Sequence, residues 1–213
     1  MILINRINTL FVLFLFIGAF FSVSAAEATG NHHNRFDRFD RFGHDEHNEH
    51  LVLKLDDTGF MYPMEVPGME EGDDPMPAMC FDLDVIDLKR NKIIGTGTDC
   101  MSNVAMGENG NVALIGTSYF YLPGGKLITR GAVTVQPVPE DFSLISADGH
   151  PYSHITGSAS TSEQNSIIGG TGKYENSTGR VRLSGMVDMT EFTMNEGDPL
   201  TFSCLFVLDI NLN

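Results

Sequence analysis

"IIGGTGKYENSTGRVRLSG", residues 167–185, separates two possible folds for this chain. Read as a phosphate-cradling loop, Gly169-Gly170-Thr171-Gly172-Lys173 implies a nucleotide-binding α/β domain. Read as a corner between strands, it implies an all-β chain. The spacing rejects the loop. A P-loop needs G-x-x-x-x-G-K-[ST], whose run of amides wraps the phosphates while the final hydroxyl holds Mg²⁺. Here Ile167 occupies the first glycine position, and Tyr174 comes after Lys173. A dinucleotide fingerprint needs a third glycine where this chain has Glu175, with a helix beyond it. Residues 178–187 instead alternate polar and apolar with a period of two, the mark of a half-buried strand.

The same alternation recurs on both sides of this corner. Residues 51–56, 79–88, 92–104, 111–122, 125–135, 152–161, 178–190 and 200–210 read as β segments. Turn signals separate them, among them Glu108-Asn109-Gly110, Pro123-Gly124-Gly125 and Glu196-Gly197-Asp198-Pro199. No segment sustains a helical period. A meander of eight strands must close or pack to hide its edges, so the expected fold is an eight-stranded antiparallel β-barrel. Residues 57–78 are acidic and carry Pro63, Pro67, Pro75 and Pro77, which predicts a long loop without regular structure. In the last strand Phe202, Cys204, Phe206, Leu208 and Ile210 share one face. Residues 111–122 are apolar on both faces: Val112, Leu114 and Phe120 on one, Ile115, Tyr119 and Tyr121 on the other. Such a strand is covered on both sides, by the lumen and by a loop or a neighbouring subunit. A small barrel is either filled by its own side chains or holds one small ligand. Phe202, Cys204, Phe206, Tyr119 and Phe120 are therefore the candidate ligand-binding residues of the lumen.

The N-terminal region reads as processing sequence and tail. Arg6, the twelve-residue apolar run from Leu10 to Phe21 and the small residues of "SVSAAEA" form a signal peptide over residues 1–26. The run is shorter than the roughly 20 residues that a bilayer span requires, and no other segment is a membrane span. The expected mature protein is secreted, or extracellular. Residues 27–50 form a low-complexity arm with an Arg-Phe-Asp repeat and no periodicity, expected to be disordered. His32, His33, His44, His47 and His50 crowd this arm and could hold Zn²⁺ or Cu²⁺ weakly, since imidazole suits both. No cofactor motif is present. Residues 51–213 form the barrel domain.

Removing the signal peptide leaves 12 basic residues against 28 acidic ones, a balance of −16. That charge argues against nucleic acid and anionic membranes as partners. Cys80, Cys100 and Cys204 allow one disulfide and one leftover thiol, and the pairing is open. Asn176-Ser177-Thr178 is an N-glycosylation sequon placed in the corner of the opening stretch.

Four stretches of the chain match a known pattern. "CFDLDVIDLKRNKIIGTGTDC", "YFYLPGGKLITRG", "IIGGTGKYENSTGRVRLSG" and "FSCLFVLDI" together resemble the allene oxide cyclase barrel-like superfamily, whose barrel plant dirigent proteins share. The resemblance covers roughly residues 79–210. It implies an eight-stranded barrel, a homotrimer as in many family members, and an apolar lumen that holds a reactive small molecule. It also implies catalysis by confinement, in which a fixed geometry supplies orientation in advance. In the cyclases a lumenal cysteine comes shortly after an I-G-x-T motif; here Cys100 stands one residue nearer to Gly95. Val52 occupies the place of a cyclase glutamate, and Glu163-Gln164-Asn165-Ser166 stands where dirigent proteins commonly carry Arg-Glu-x-Pro.

Three functions are compatible with these residues. The first is a barrel that binds or orients a small apolar or phenolic molecule in its lumen. The second is an isomerase or cyclase acting on an oxylipin-like epoxide, with Cys100 and Asp99 as the catalytic candidates. The third is a non-catalytic extracellular structural or interaction protein with a filled barrel. The absence of a complete acid–base set favours binding over catalysis.

Overall fold

The structure, a computed structural model, describes residues 47–70, 72–139, 141–147, 149–158 and 165–213. The residues expected to form a signal peptide and most of the expected histidine-rich arm, with His32, His33 and His44, lie outside the described residues; residues 48–50, expected to close the disordered arm, instead open the first strand of the barrel.

Period-two patterning produces twelve strands among the described residues: β1 (Asn48–Phe60), β2 (Tyr62–Val66), β3 (Met76–Asp87), β4 (Lys92–Met106), β5 (Val112–Leu122), β6 (Gly125–Pro137), β7 (Leu144–Ile145), β8 (Pro151–Tyr152), β9 (His154–Ser158), β10 (Ser166–Gly170), β11 (Thr178–Asp188) and β12 (Pro199–Asn211). Their ladders are antiparallel. β1 pairs with β12 from Asn48↔Asn211 to Phe60↔Pro199. It also pairs with β3 from Leu53↔Asp87 to Asp56↔Asp84, which closes the cylinder. The circuit runs β1-β12-β11, then β9 with β10, then β6-β5-β4-β3 and back to β1. β9 and β10 share one of the eight staves: β10 pairs with Leu127–Arg130 of β6, and β9 with Val133–Pro137. The expected eight-stranded antiparallel barrel is what the chain forms. Closure removes the exposed edges that an open sheet of this size would present.

The opening stretch is a strand corner. β10 passes through one turn of 3₁₀ helix, Gly172–Tyr174, and returns as β11. The corner docks on the β5–β6 turn: Thr171 N–H donates to Lys126 O at 2.7 Å, and Lys173 N–H donates to Gly124 O at 2.8 Å. Gly172 has φ 62°, and a Cβ there would collide with the Gly124 carbonyl, so the glycine serves close backbone approach rather than phosphate.

Side chains at alternate positions fill the interior. Leu53, Leu55, Phe81, Val85, Phe120, Leu127, Leu208 and Ile210 are all buried in one core. Phe202 meets Phe81 edge to face at 5.5 Å, and Phe206 meets Phe120 at 5.2 Å. Such pairs contribute about 0.5–1.5 kcal/mol each beyond their burial.

The expectation for residues 57–78 is corrected in part. β1 continues to Phe60, β2 forms over Tyr62–Val66, and β3 begins at Met76, with Tyr62↔Cys80 to Val66↔Met76 as their register. Tyr62, Met64 and Val66 alternate with the exposed Pro63 and Glu65, and this period outweighs the prolines, which an edge strand tolerates. The hairpin and the residues after it strap the outside of the barrel. A second apolar cluster of Val66, Ala78, Cys80, Cys100 and Tyr119, with Tyr62, Met64, Met76 and Ile128 against it, lies beneath. Arg130 holds the strap down: Nη1 donates to Gly68 O at 2.6 Å and Nη2 to Pro67 O at 2.5 Å. This strap covers Tyr119 on the outer face of β5, whereas Tyr121 on the same face stays exposed, against the expectation that this face is covered throughout.

Candidate functional site

Three neighbouring strands bring one row of polar side chains into the lumen. Asp99 on β4 stands opposite Ser118 on β5, and Ser118 stands opposite Thr129 on β6. All three are buried and line a central cavity. The remaining lining is mostly apolar, with Phe81, Met101, Leu114, Val133, Val187, Phe202 and Phe206 among it; Arg130, Thr156 and Ser158 also border the space, with the Arg130 guanidinium turned away onto Pro67 O and Gly68 O. The cavity is slender. Unfilled space among its walls and at its mouth comes to about 580 Å³, and a water molecule's centre can occupy about 40 Å³ of it. At roughly 10–15 Å³ per water on that measure, the space takes a few waters, and a ring would enter only by widening it.

Among the described residues Asp99 is the one carboxyl lining this cavity, and it is 7% exposed. Ser118 Oγ–H donates to Asp99 Oδ1 at 2.5 Å. Burial pushes the Asp99 pKa up to about 7, and the Ser118 hydrogen bond opposes the rise. Removal from water disfavours the charged form, and one hydroxyl donor restores only part of the lost solvation. No Lys, Arg or His forms an ion pair with it among the described residues. An apolar cavity therefore contains a carboxyl that changes charge near neutrality.

Cys100 is not in the lumen, which corrects its expected place. It forms a disulfide with Cys80 on the outer face, under the strap. Successive residues of a strand point to opposite faces, so with Asp99 inside, Cys100 must lie outside. As half of a disulfide it carries no thiol. Tyr119 is corrected in the same way: Ser118 and Phe120 point inward, and Tyr119 joins the cluster beneath the strap. Phe202 and Phe206 line the cavity, while Phe120 packs behind Phe206. Cys204 faces inward, fully buried, as the free cysteine. Its Sγ lies 3.9 Å from Met186 O and against Gly185. Burial pushes its pKa well up, and the nearby Asp99 adds to the rise, so the thiol stays protonated.

Of the histidines expected to hold metal, the structure describes two. His50 Nδ1 lies 2.6 Å from Asp209 Oδ1, and His47 O accepts Leu212 N–H at 2.6 Å. Among the described residues no group of three or more His, Cys, Asp or Glu side chains could hold a metal ion. Asn176 is exposed on the 3₁₀ corner at φ 58°, a position open to a glycan. Ser118, Thr129 and Met101 were missed from sequence. Ser118 shares a face with Leu114 and Phe120, so a lone hydroxyl on an apolar face was the available signal.

Comparison with models of known protein families finds no match, and neither does comparison with curated proteins. Among the described residues no helix is long and apolar enough to cross a membrane.

Proposed function

We propose that this chain is a secreted barrel protein that binds or orients a small apolar or phenolic molecule in its lumen. One observation carries the reading: the barrel holds a cavity walled by Phe81, Phe202, Phe206, Leu114 and Val133, with a single carboxyl among the described residues, Asp99, aimed into it. Apolar walls supply affinity, and one fixed polar group supplies orientation, which is the usual composition of a small-ligand site. The Cys80–Cys100 bond supports an oxidising, extracellular destination. The closed eight-stranded barrel supports the resemblance to the allene oxide cyclase and dirigent superfamily.

A second reading is favoured by Asp99 alone. A carboxyl poised near neutrality in a dry cavity suits proton donation to an epoxide or quinone-methide oxygen, the isomerase chemistry of that resemblance. Asp99 would act there without a partner thiol, because Cys100 is oxidised and Cys204 is packed away. Native mass spectrometry of the protein purified from its source tests the binding reading. A small organic mass retained in the folded chain and released on denaturation supports it; a bare chain that also fails to bind p-cresol opposes it.

A further inference from the structure

We propose that the lumen receives a small organic cation, an ammonium group on an apolar body no larger than one ring, with Asp99 as its counter-charge. This rests on the lumenal binding reading above and names its ligand class.

The surroundings of the carboxyl leave its charge unanswered. Asp99 accepts one hydrogen bond, from Ser118, and has no cationic partner among the described residues. Buried charges in proteins are paired, because an isolated one forfeits its hydration without return. The charged and titratable groups packed around Asp99 do not provide that pairing. On β12, Cys204 is a protonated thiol turned toward Met186. On β6, Arg130 sends its guanidinium to the outer face, onto the carbonyls of Pro67 and Gly68. β5 offers only the Ser118 hydroxyl on this level. On β3, Phe81 stands directly opposite Asp99 in the ladder, and Phe202, which it meets edge to face, is aromatic too.

A neutral ligand would not neutralise an ionised Asp99. An alcohol or phenol donates a hydrogen bond but leaves the negative charge uncompensated. An ammonium donates the hydrogen bond and cancels the charge together, in a medium where the attraction is little screened. The apolar walls then take the hydrocarbon body. The narrow cavity, with room for a few waters, makes one ring the upper bound for that body, admitted by widening between the apolar walls. Asp99, with its pKa pushed up to about 7 by burial, is mostly ionised only above neutrality, so capture of an amine strengthens as pH rises.

The test is isothermal titration calorimetry of the mature chain with benzylamine and its neutral counterpart benzyl alcohol, at pH 8 and pH 5.5. Benzylamine should bind more tightly than benzyl alcohol at pH 8. Its affinity should fall about thirtyfold at pH 5.5, because only the ionised fraction of Asp99 is competent and the amine stays protonated throughout. Benzyl alcohol should bind equally at both values. Asp99→Asn keeps the acceptor for Ser118 and should abolish both the amine preference and its pH dependence, with benzyl alcohol binding retained. Benzyl alcohol bound as tightly as benzylamine at both pH values would overturn the cation class and leave the lumenal reading standing. Failure of both probes to bind at any pH would overturn the two together. The wild-type pH comparison decides the question even if Asp99→Asn folds poorly.

Discussion

Asp99 and Cys100 are consecutive in β4 and serve opposite sides of one wall: the carboxyl faces the lumen beside Ser118, and the sulfur is tied to Cys80 beneath the outer strap. The lumen and the strap are therefore separable. Replacing both Cys80 and Cys100 by alanine should lower stability by about 3 kcal/mol, the chain-entropy value for a crosslink spanning 20 residues, and leave lumenal binding unchanged. Chemical denaturation followed by p-cresol titration checks both halves. A double variant that loses binding while still folded would show that the two faces are coupled.

Asp99 makes stability depend on pH in a defined direction. Its carboxyl has a pKa of about 7 in the fold against an ordinary value of 3.8, so the unfolded chain releases that proton first as pH rises. Stability falls between about pH 4 and 7 from this group and is level above. Asp99→Asn should raise the melting temperature at pH 8, by on the order of 2–4 kcal/mol in free energy, and the gain should vanish near pH 4. Melts of both proteins across that range measure it, and a constant difference would refute the burial of a lone carboxyl.

Arg130 clamps the strap through two carbonyls rather than a carboxylate. Arg130→Gln should free residues 67–70 and let a glutamate-specific protease bind the loosened backbone at the already exposed Glu65 and Glu70. Faster cleavage there, with an unchanged circular dichroism spectrum, is the expected result. Equal cleavage rates would mean that the apolar cluster under the strap suffices.

Val133 lines the cavity from β6. Val133→Phe should fill it, abolish binding of p-cresol, and cost about 1–3 kcal/mol from overpacking. A variant that folds and still binds would move the site out of the lumen.

How much of this was legible in the sequence depended on whether one strand face or the path of the chain was in question. Phe202, Cys204, Phe206, Leu208 and Ile210 read as one face because β12 alternates without interruption, and they point inward. The double burial of β5 was legible only in part: Tyr119 is covered opposite Leu114 and Phe120, but Ile115 is half-buried and Tyr121 stays exposed. Which face was lumenal was not legible, because both are apolar and only the strap's path decides it. The strap escaped notice for a physical reason: prolines and acids dominate residues 62–78, while the three residues that bury, Tyr62, Met64 and Val66, recur quietly at every second position. β10 was hidden in the opening corner because Gly169 and Gly170 dilute a five-residue strand. Asp99 and Cys100 could not both have been lumenal, and their adjacency alone carried that information.

The most direct test of the lumenal site is a methyl-resolved NMR titration of the mature chain with p-cresol. Shifts confined to Leu114, Val133, Val187 and Met101, which line the cavity, are predicted. No shift in those methyls, or shifts only at the exposed Ile93 and Ile155 on the outside, would contradict a ligand in the barrel.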